Sequence, residues 1–136
     1  MIKLKLTKVK AYTLSELLVV LVIIGILILI ALPNLMPLIS RAKATEAKMQ
    51  LTHLQNLEKN YFYMYSKYSA DFNEIGFEQE KLVTQDGNAN YKIEIIEATM
   101  THFKARATAV ADFDGDGIFN VWEIDQDKKL IEVTKD

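Results

Sequence analysis

The residues best equipped for chemistry lie in one stretch, Asp112-Phe113-Asp114-Gly115-Asp116-Gly117-Ile118-Phe119-Asn120-Val121-Trp122-Glu123. Three carboxylates recur at two-residue steps, a glycine follows the third acid, and a glutamate closes the twelve-residue stretch. Like charges at that spacing repel unless a hard cation sits among them. Asp112, Asp114 and Asp116 would offer carboxylate oxygens, Ile118 its backbone carbonyl, Asn120 a side chain acting through water, and Glu123 a bidentate closing group. Gly117 permits the sharp turn that such a loop requires. The chemistry implied is binding of Ca2+. The bland alternative is an acidic turn, since Asp and Gly are what turns are made of, but a turn has no need of the distant glutamate. The flanks read as strands rather than paired helices, which suits a structural staple better than a sensor that opens a groove.

A second chemically loaded position is Glu16, at the threshold of an apolar run. Leu17 to Leu32 is sixteen residues without a polar side chain, and no charge follows until Arg41. As a helix the stretch to Ile39 reaches ~35 Å, enough to cross a hydrocarbon core of ~30 Å. Its Leu, Ile and Val occupy all faces, unlike the stripe of a soluble amphipathic helix. Lys3, Lys5, Lys8 and Lys10 precede it without an acid. That bias keeps the N-terminus cytoplasmic and carries the rest across in a single pass. A secretory signal would want a shorter apolar core and a small-x-small cut, and Ile30-Ala31-Leu32-Pro33-Asn34 is a poor one. A plain anchor leaves Glu16 unexplained, because a carboxylate entering an apolar segment is costly without a partner.

The stretch Lys10-Ala11-Tyr12-Thr13-Leu14-Ser15-Glu16 with the apolar run behind it resembles the class III signal of type IV pilins and of type II secretion pseudopilins. Ala11 stands in the small position, where Gly is usual, Tyr12 in the aromatic one, and Glu16 is the fifth residue after the cut. Ser15 replaces the usual apolar residue. The resemblance implies that a prepilin peptidase cleaves between Ala11 and Tyr12 and methylates the new Tyr12 amine. It also implies a partner for Glu16: the N-terminal ammonium of a neighbouring subunit. A carboxylate and an ammonium attract strongly when paired in low dielectric and are costly alone. The same resemblance implies storage in the bacterial inner membrane and an assembly platform there. The head would be periplasmic, then carried in a periplasmic pseudopilus or a surface pilus. Major pseudopilins also carry a calcium site in the general region of the acidic loop.

Beyond the apolar run, Pro33 and Pro37 predict a kink or local melting over residues 30–38. Helical spacing then returns from Leu38 to about Tyr65 through Ala42, Met49, Leu54, Leu57, Tyr61 and Met64. The aromatics at its end, Tyr61, Phe62, Tyr63, Tyr65 and Tyr68, read as core and rim of a small head. Ser69-Ala70-Asp71 and Gly76 frame a short helix, and Asp86-Gly87-Asn88 marks a turn. Tyr91–Ile95, Phe103–Ala109, Val121–Ile124 and Lys129–Val133 read as strands, with residues 97–101 a connection. The fold class is therefore α+β: a long N-terminal helix, half transmembrane and half amphipathic, packed on a small antiparallel sheet. The divisions are a leader at 1–11, a membrane and filament-core helix at 12–37, and a head at 38–136 containing the calcium loop 112–123.

Composition narrows the function further. Without the leader lysines, 12 basic side chains face 18 acidic ones, so the body has no general pull on nucleic acid. No cysteine is present, so a disulfide cannot staple the head. His53 and His102 are isolated, and neither a nucleophile–base set nor a phosphate-cradling loop is visible, so an enzyme is not expected. The expected role is a structural subunit that polymerises with itself and with other pilin-like subunits. The alternative is a minor pilin acting as a DNA- or ligand-binding tip or competence component.

Overall fold

The computed structural model describes residues 11–136; the leader positions 1–10, with all four lysines, lie outside the described residues. The chain forms α1 (Leu14–Tyr65), α2 (Phe72–Ile75), β1 (Tyr91–Ala98), β2 (Phe103–Ala109), β3 (Val121–Asp125) and β4 (Leu130–Thr134). It divides into two compact units with the boundary between Leu35 and Met36, inside α1.

In the first unit the helix carries apolar side chains all round. From Leu17 to Leu32 every large apolar residue is at least 46% exposed, so none of its faces is occupied within the chain. By length and composition α1 is the one helix among the described residues that can cross a membrane. The expected melting at residues 30–38 does not occur: the helix is unbroken through Pro33 and Pro37. Each proline removes one ladder donor, at a cost of ~3 kcal/mol, but many turns on both sides hold the helical path. The Asn34 side-chain amide also donates to the carbonyl of Ile30 at 3.3 Å.

In the second unit, α1 becomes amphipathic. Ala47, Leu51, Leu54 and Tyr61 are buried at three- and four-residue multiples, while Met49, Tyr63 and Met64 face out. The four strands form an antiparallel sheet in the order β1-β2-β3-β4. β2 alternates strictly, with Phe103, Ala105, Ala107 and Ala109 inward. Tyr91, Ile93 and Ile124 extend that inner face, and the helix leucines share one core with it. The alanines leave room for those leucines, whose bulk fills the gap. β1 runs on to Ala98 instead of stopping before Glu97, because a register shift between Ile95 and Glu97 lets pairing resume.

Polar groups fix α1 at three heights. Glu46 accepts both the backbone and side-chain amides of Asn90 at 2.8 Å, Gln55 donates to the carbonyl of Gln126 at 3.2 Å, and Glu58 accepts the Ser69 amide at 3.0 Å. α2 follows the expected signals: Asp71 caps it by accepting the Asn73 amide, and Gly76 ends it in the left-handed region. Of the aromatic cluster, Tyr61 and Tyr68 are buried, whereas Tyr63 and Tyr65 stand in solvent. Phe62 stacks on Tyr68 at 4.8 Å and Tyr68 on Phe103 at 5.7 Å, joining the end of α1 to β2.

Leu54 is fully buried and Met49 is 68% exposed on the same helix. Leu54→Ala should lower head stability by about 2–5 kcal/mol in chemical denaturation. Met49→Ala should change it by about 0.5 kcal/mol or less. Equal effects would mean that α1 does not dock on the face described.

Candidate functional sites

The first site lies at the start of α1. The Thr13 amide donates to Glu16 Oε2 at 2.7 Å, and the Glu16 amide donates to Thr13 Oγ1 at 3.3 Å. This reciprocal pair is a capping box, which satisfies two otherwise orphaned helix donors. Its Thr-x-x-Glu signature is present in the sequence, so spacing alone makes it legible. Within the chain the carboxylate thus has a partner, and it sits where the helix dipole favours a negative charge. Tyr12 is 80% exposed beside it, and Ala11 is exposed.

The second site is the acidic loop, which begins after β2. Gly115 and Gly117 take φ values of 84° and 85°, a region closed to most side chains, and so turn the backbone back on Asp112. Asp112 Oδ1 accepts the Gly115 amide at 2.6 Å and its Oδ2 the Gly117 amide at 2.5 Å. Asp114 accepts the Asp116 amide at 3.0 Å, and Asp116 accepts that of Ile118 at 2.7 Å. Phe113 points inward, packs on Tyr91 at 5.8 Å and lies under Lys43 Nζ at 4.4 Å. Its amide donates to Asp136 Oδ2 at 3.0 Å, which draws the segment after β4 onto the loop.

That contact completes an acidic cluster. One carboxylate oxygen from each of Asp112, Asp114, Asp116 and Asp136 lies within 4.8 Å of the others. Asp136 Oδ1 is shielded and has no hydrogen-bond partner. The amide of Gly117, ahead of that of Gly115, holds the Asp112 carboxyl below its usual range against a smaller effect of burial. Asp114 moves the other way. The Asp116 amide lowers it, but burial and the charges of Asp116, Asp136 and Asp112 together outweigh that bond. Four carboxylates this close together form a donor set of hard oxygens, the kind that Ca2+ takes.

Two residues expected in this set are elsewhere. Glu123 lies on β3 opposite Arg106 of β2 and accepts from its Nε at 2.9 Å and Nη2 at 2.6 Å. A carboxylate only 8% exposed takes the cation that the sheet register places beside it. Asn120 is buried, and its amide is fully spent. Its Oδ1 accepts from Tyr91 Oη and Trp122 Nε1, both at 2.7 Å, and its Nδ2 donates to Glu132 at 2.8 Å and the Thr134 carbonyl at 2.9 Å. It therefore ties β1, β3 and β4 together. Burial, aided by the charges of Glu46, Asp136 and Glu132, pushes the Tyr91 hydroxyl well above its ordinary range, so it stays a donor. Ile118 contributes its amide to Asp116, and its side chain is half-exposed. Asp136 was not foreseeable from loop spacing, since only the fold brings it there.

Beside the loop is a cleft of about 370 Å³ between α1 and the β3–β4 end of the sheet. Arg41, Lys48 and Lys135 line it with Trp122, Glu132 and Asp136. Lys48 Nζ sits 4.6 Å from the Trp122 ring centre.

Residues 6–32 match the prokaryotic N-terminal methylation motif. Residues 33–117 match the family described as type IV minor pilin ComP, DNA uptake sequence receptor. The type IV major pilin protein PilA of Myxococcus xanthus (strain DK1622) is 43% identical over 72 residues, which cover 53% of this chain and 33% of that protein. The chain thus aligns with about a third of that pilin's length. Pilin families are structural rather than enzymatic. With a methylation motif leading into a long apolar helix, and a family match that runs on from it through β1 and β2 over more than half of the chain, the chain belongs to the type IV pilin family, in its ComP minor-pilin group.

Proposed function

We propose that the chain is a subunit of a type IV pilus-like filament, held in the inner membrane and polymerised through its N-terminal helix. The observation that carries this reading is the first half of α1, apolar and exposed on every face. Such a helix suits lipid before assembly and a bundle of like helices afterwards. A prepilin peptidase would cut between Ala11 and Tyr12, leaving residues 12–37 as the membrane and filament-core helix, and methylate Tyr12. The Tyr12 ammonium of one subunit would then meet Glu16 of its neighbour on the inner-membrane assembly platform. The capping box occupies only Glu16 Oε2, so Oε1 is available to an incoming ammonium while the helix start stays capped. The pilin family match favours a pilus over a secretion pseudopilus.

Calcium has a structural part in this reading. Asp112, Asp114, Asp116 and Asp136 would hold Ca2+ between the loop and the residue that follows β4, with Glu123 and Asn120 outside the set. Binding to the folded head stabilises it by RT ln(1 + [L]/Kd), in place of the disulfide it lacks.

A second reading is favoured by the family description, that of a DNA-receptor minor pilin, together with the cleft holding Arg41, Lys48, Lys135 and Trp122. Cations beside an aromatic face are what a nucleic-acid backbone and its bases require. Glu132 and Asp136 on the same wall oppose it, which keeps the filament role first.

Three outcomes test these readings. Glu16→Ala should be processed and membrane-inserted normally, yet yield little filament in sheared surface fractions; undiminished filament would refute the role of the charge. The head should melt several degrees higher in millimolar calcium than in chelator, an increment that Asp112→Asn and Asp136→Asn remove and Glu123→Gln leaves in place. Duplex DNA binding measured by fluorescence anisotropy should be weak and lost in Lys48→Ala and Lys135→Ala if the cleft serves it. Binding that is tight and indifferent to those changes would move the DNA reading to another surface.

A further inference from the structure

We propose that Glu58 is a protonation-dependent latch: as a neutral acid it holds the Ser66–Phe77 segment against α1, and as a carboxylate it loosens that segment.

Glu58 lies on α1 and is 0% exposed. Its Oε2 accepts the Ser69 amide at 3.0 Å, while its Oε1 is shielded and has no partner. One amide bond is far too little to hold a full charge away from water, so the geometry suits the neutral acid. The charged group that acts on it is another acid, Glu74. Glu74 of α2 accepts from Tyr61 Oη at 3.3 Å and from the Ser69 hydroxyl. Ser69 thus gives its amide to one carboxyl and its hydroxyl to the other. On α1, Tyr61 feels the charge of both Glu74 and Glu58, and its ring meets that of Tyr65 at 4.5 Å. On the sheet side, Tyr68 stacks on the uncharged Phe103. Among the described residues the ion pairs are Lys92–Glu94 and Arg106–Glu123, so no cation is paired with Glu58 or Glu74.

The direction of titration follows. Burial foremost pushes Glu58 from 4.5 up to about 7, with the Ser69 amide pulling it down and the charge of Glu74 pushing it further up. The folded head therefore holds this proton more tightly than the unfolded chain does. The stabilisation it brings is complete below the unfolded value near 4.5 and is lost as pH rises through about 7. Loss should be local at first. The Ser69 amide is the bond that ionisation and its incoming water disturb directly. At the centre of the sheet β2 presents Ala105 and Ala107, and the buried carboxylate of β3, Glu123, is paired with Arg106. The result is a head whose α2 surface is fixed in mildly acidic surroundings and mobile in alkaline ones. This latch works in a single subunit and does not depend on filament assembly.

Hydrogen exchange of the full chain in detergent micelles, corrected for intrinsic rates, tests it at pH 5.5 and 8. Peptides covering residues 66–77 should exchange about tenfold faster or more at pH 8, relative to their protection at pH 5.5, while β2 peptides keep theirs. Glu58→Gln retains the acceptor for the Ser69 amide and should abolish the difference. Glu74→Gln should preserve it with a midpoint at lower pH. Equal protection of the segment at both pH values overturns the latch. So does a Glu58→Gln chain that keeps the pH dependence, or loss of protection in strands and segment together. Should Glu58→Gln fail to fold, a carbon-13 carboxyl titration of the unaltered chain decides: a Glu58 midpoint near 7 supports the latch, and one in the ordinary glutamate range overturns it.

Discussion

The head rests on one burial, that of Ala47, Leu51, Leu54 and Tyr61 of α1 against the inner face of the sheet. A domain of about 100 residues with no cysteine has little else to draw on, since small cores are marginal without a staple. Four strands ordered as a meander cannot bury their inner face among themselves, and one stripe of a helix cannot bury its own. Each supplies what the other lacks. The division of labour on α1 follows from this. Before Met36 every face is apolar and unoccupied; after it, one face is buried and the remainder is polar enough for water.

The polar clamps along α1 serve a different purpose from the core. Apolar contacts are non-directional and tolerate sliding. Bidentate capture of Asn90 by Glu46, the Gln55–Gln126 bond and the Glu58–Ser69 bond each require one register of helix on sheet. Glu46 and Gln55 do this as ordinary partners. Glu58 does it as a buried acid with one oxygen unpaired, a poor choice if stability were the only demand. A glutamine could supply the same acceptor without a titrating proton. The acid is therefore better explained by what its proton does than by what its bond holds.

Most of the fold was legible in the residues. The apolar run, the alternation of Phe103 to Ala109 and the Asp71 and Gly76 caps all depend on local spacing, and local spacing is what sequence shows directly. Where the expectation failed, longer-range facts decided. Of the kink or local melting expected at the prolines, the melting does not occur, because helix on both sides outweighs two missing donors. β1 outlasted its alternation because a bulge absorbs one residue and restores pairing. At the acidic loop, the closeness of Asp112, Asp114 and Asp116 was legible because they share one turn. Glu123, expected to close the shell, stands apart from those three because the flank that reads as a strand is one. Here a strand follows, and a strand carries the twelfth residue away along the sheet and hands it to Arg106.

The same geometry accounts for the place of Asp136. A strand rises ~3.3 Å per residue against ~1.5 Å in a helix, so the chain leaving the loop along β3 cannot close the cluster with its own next acid. Returning along the antiparallel β4 brings the chain back to the level at which it left. Val121 opens β3 and pairs with Thr134, two residues before Asp136. The carboxylate is thus delivered by the hairpin rather than by the loop. It is fixed there by the Phe113 amide, and Phe113 is in turn seated in the core against Tyr91. A cation in this cluster would therefore cross-link the entry to β3 with the exit from β4. Those are two backbone points whose separation changes if the hairpin frays, and that is where a head lacking disulfides gains most from a staple.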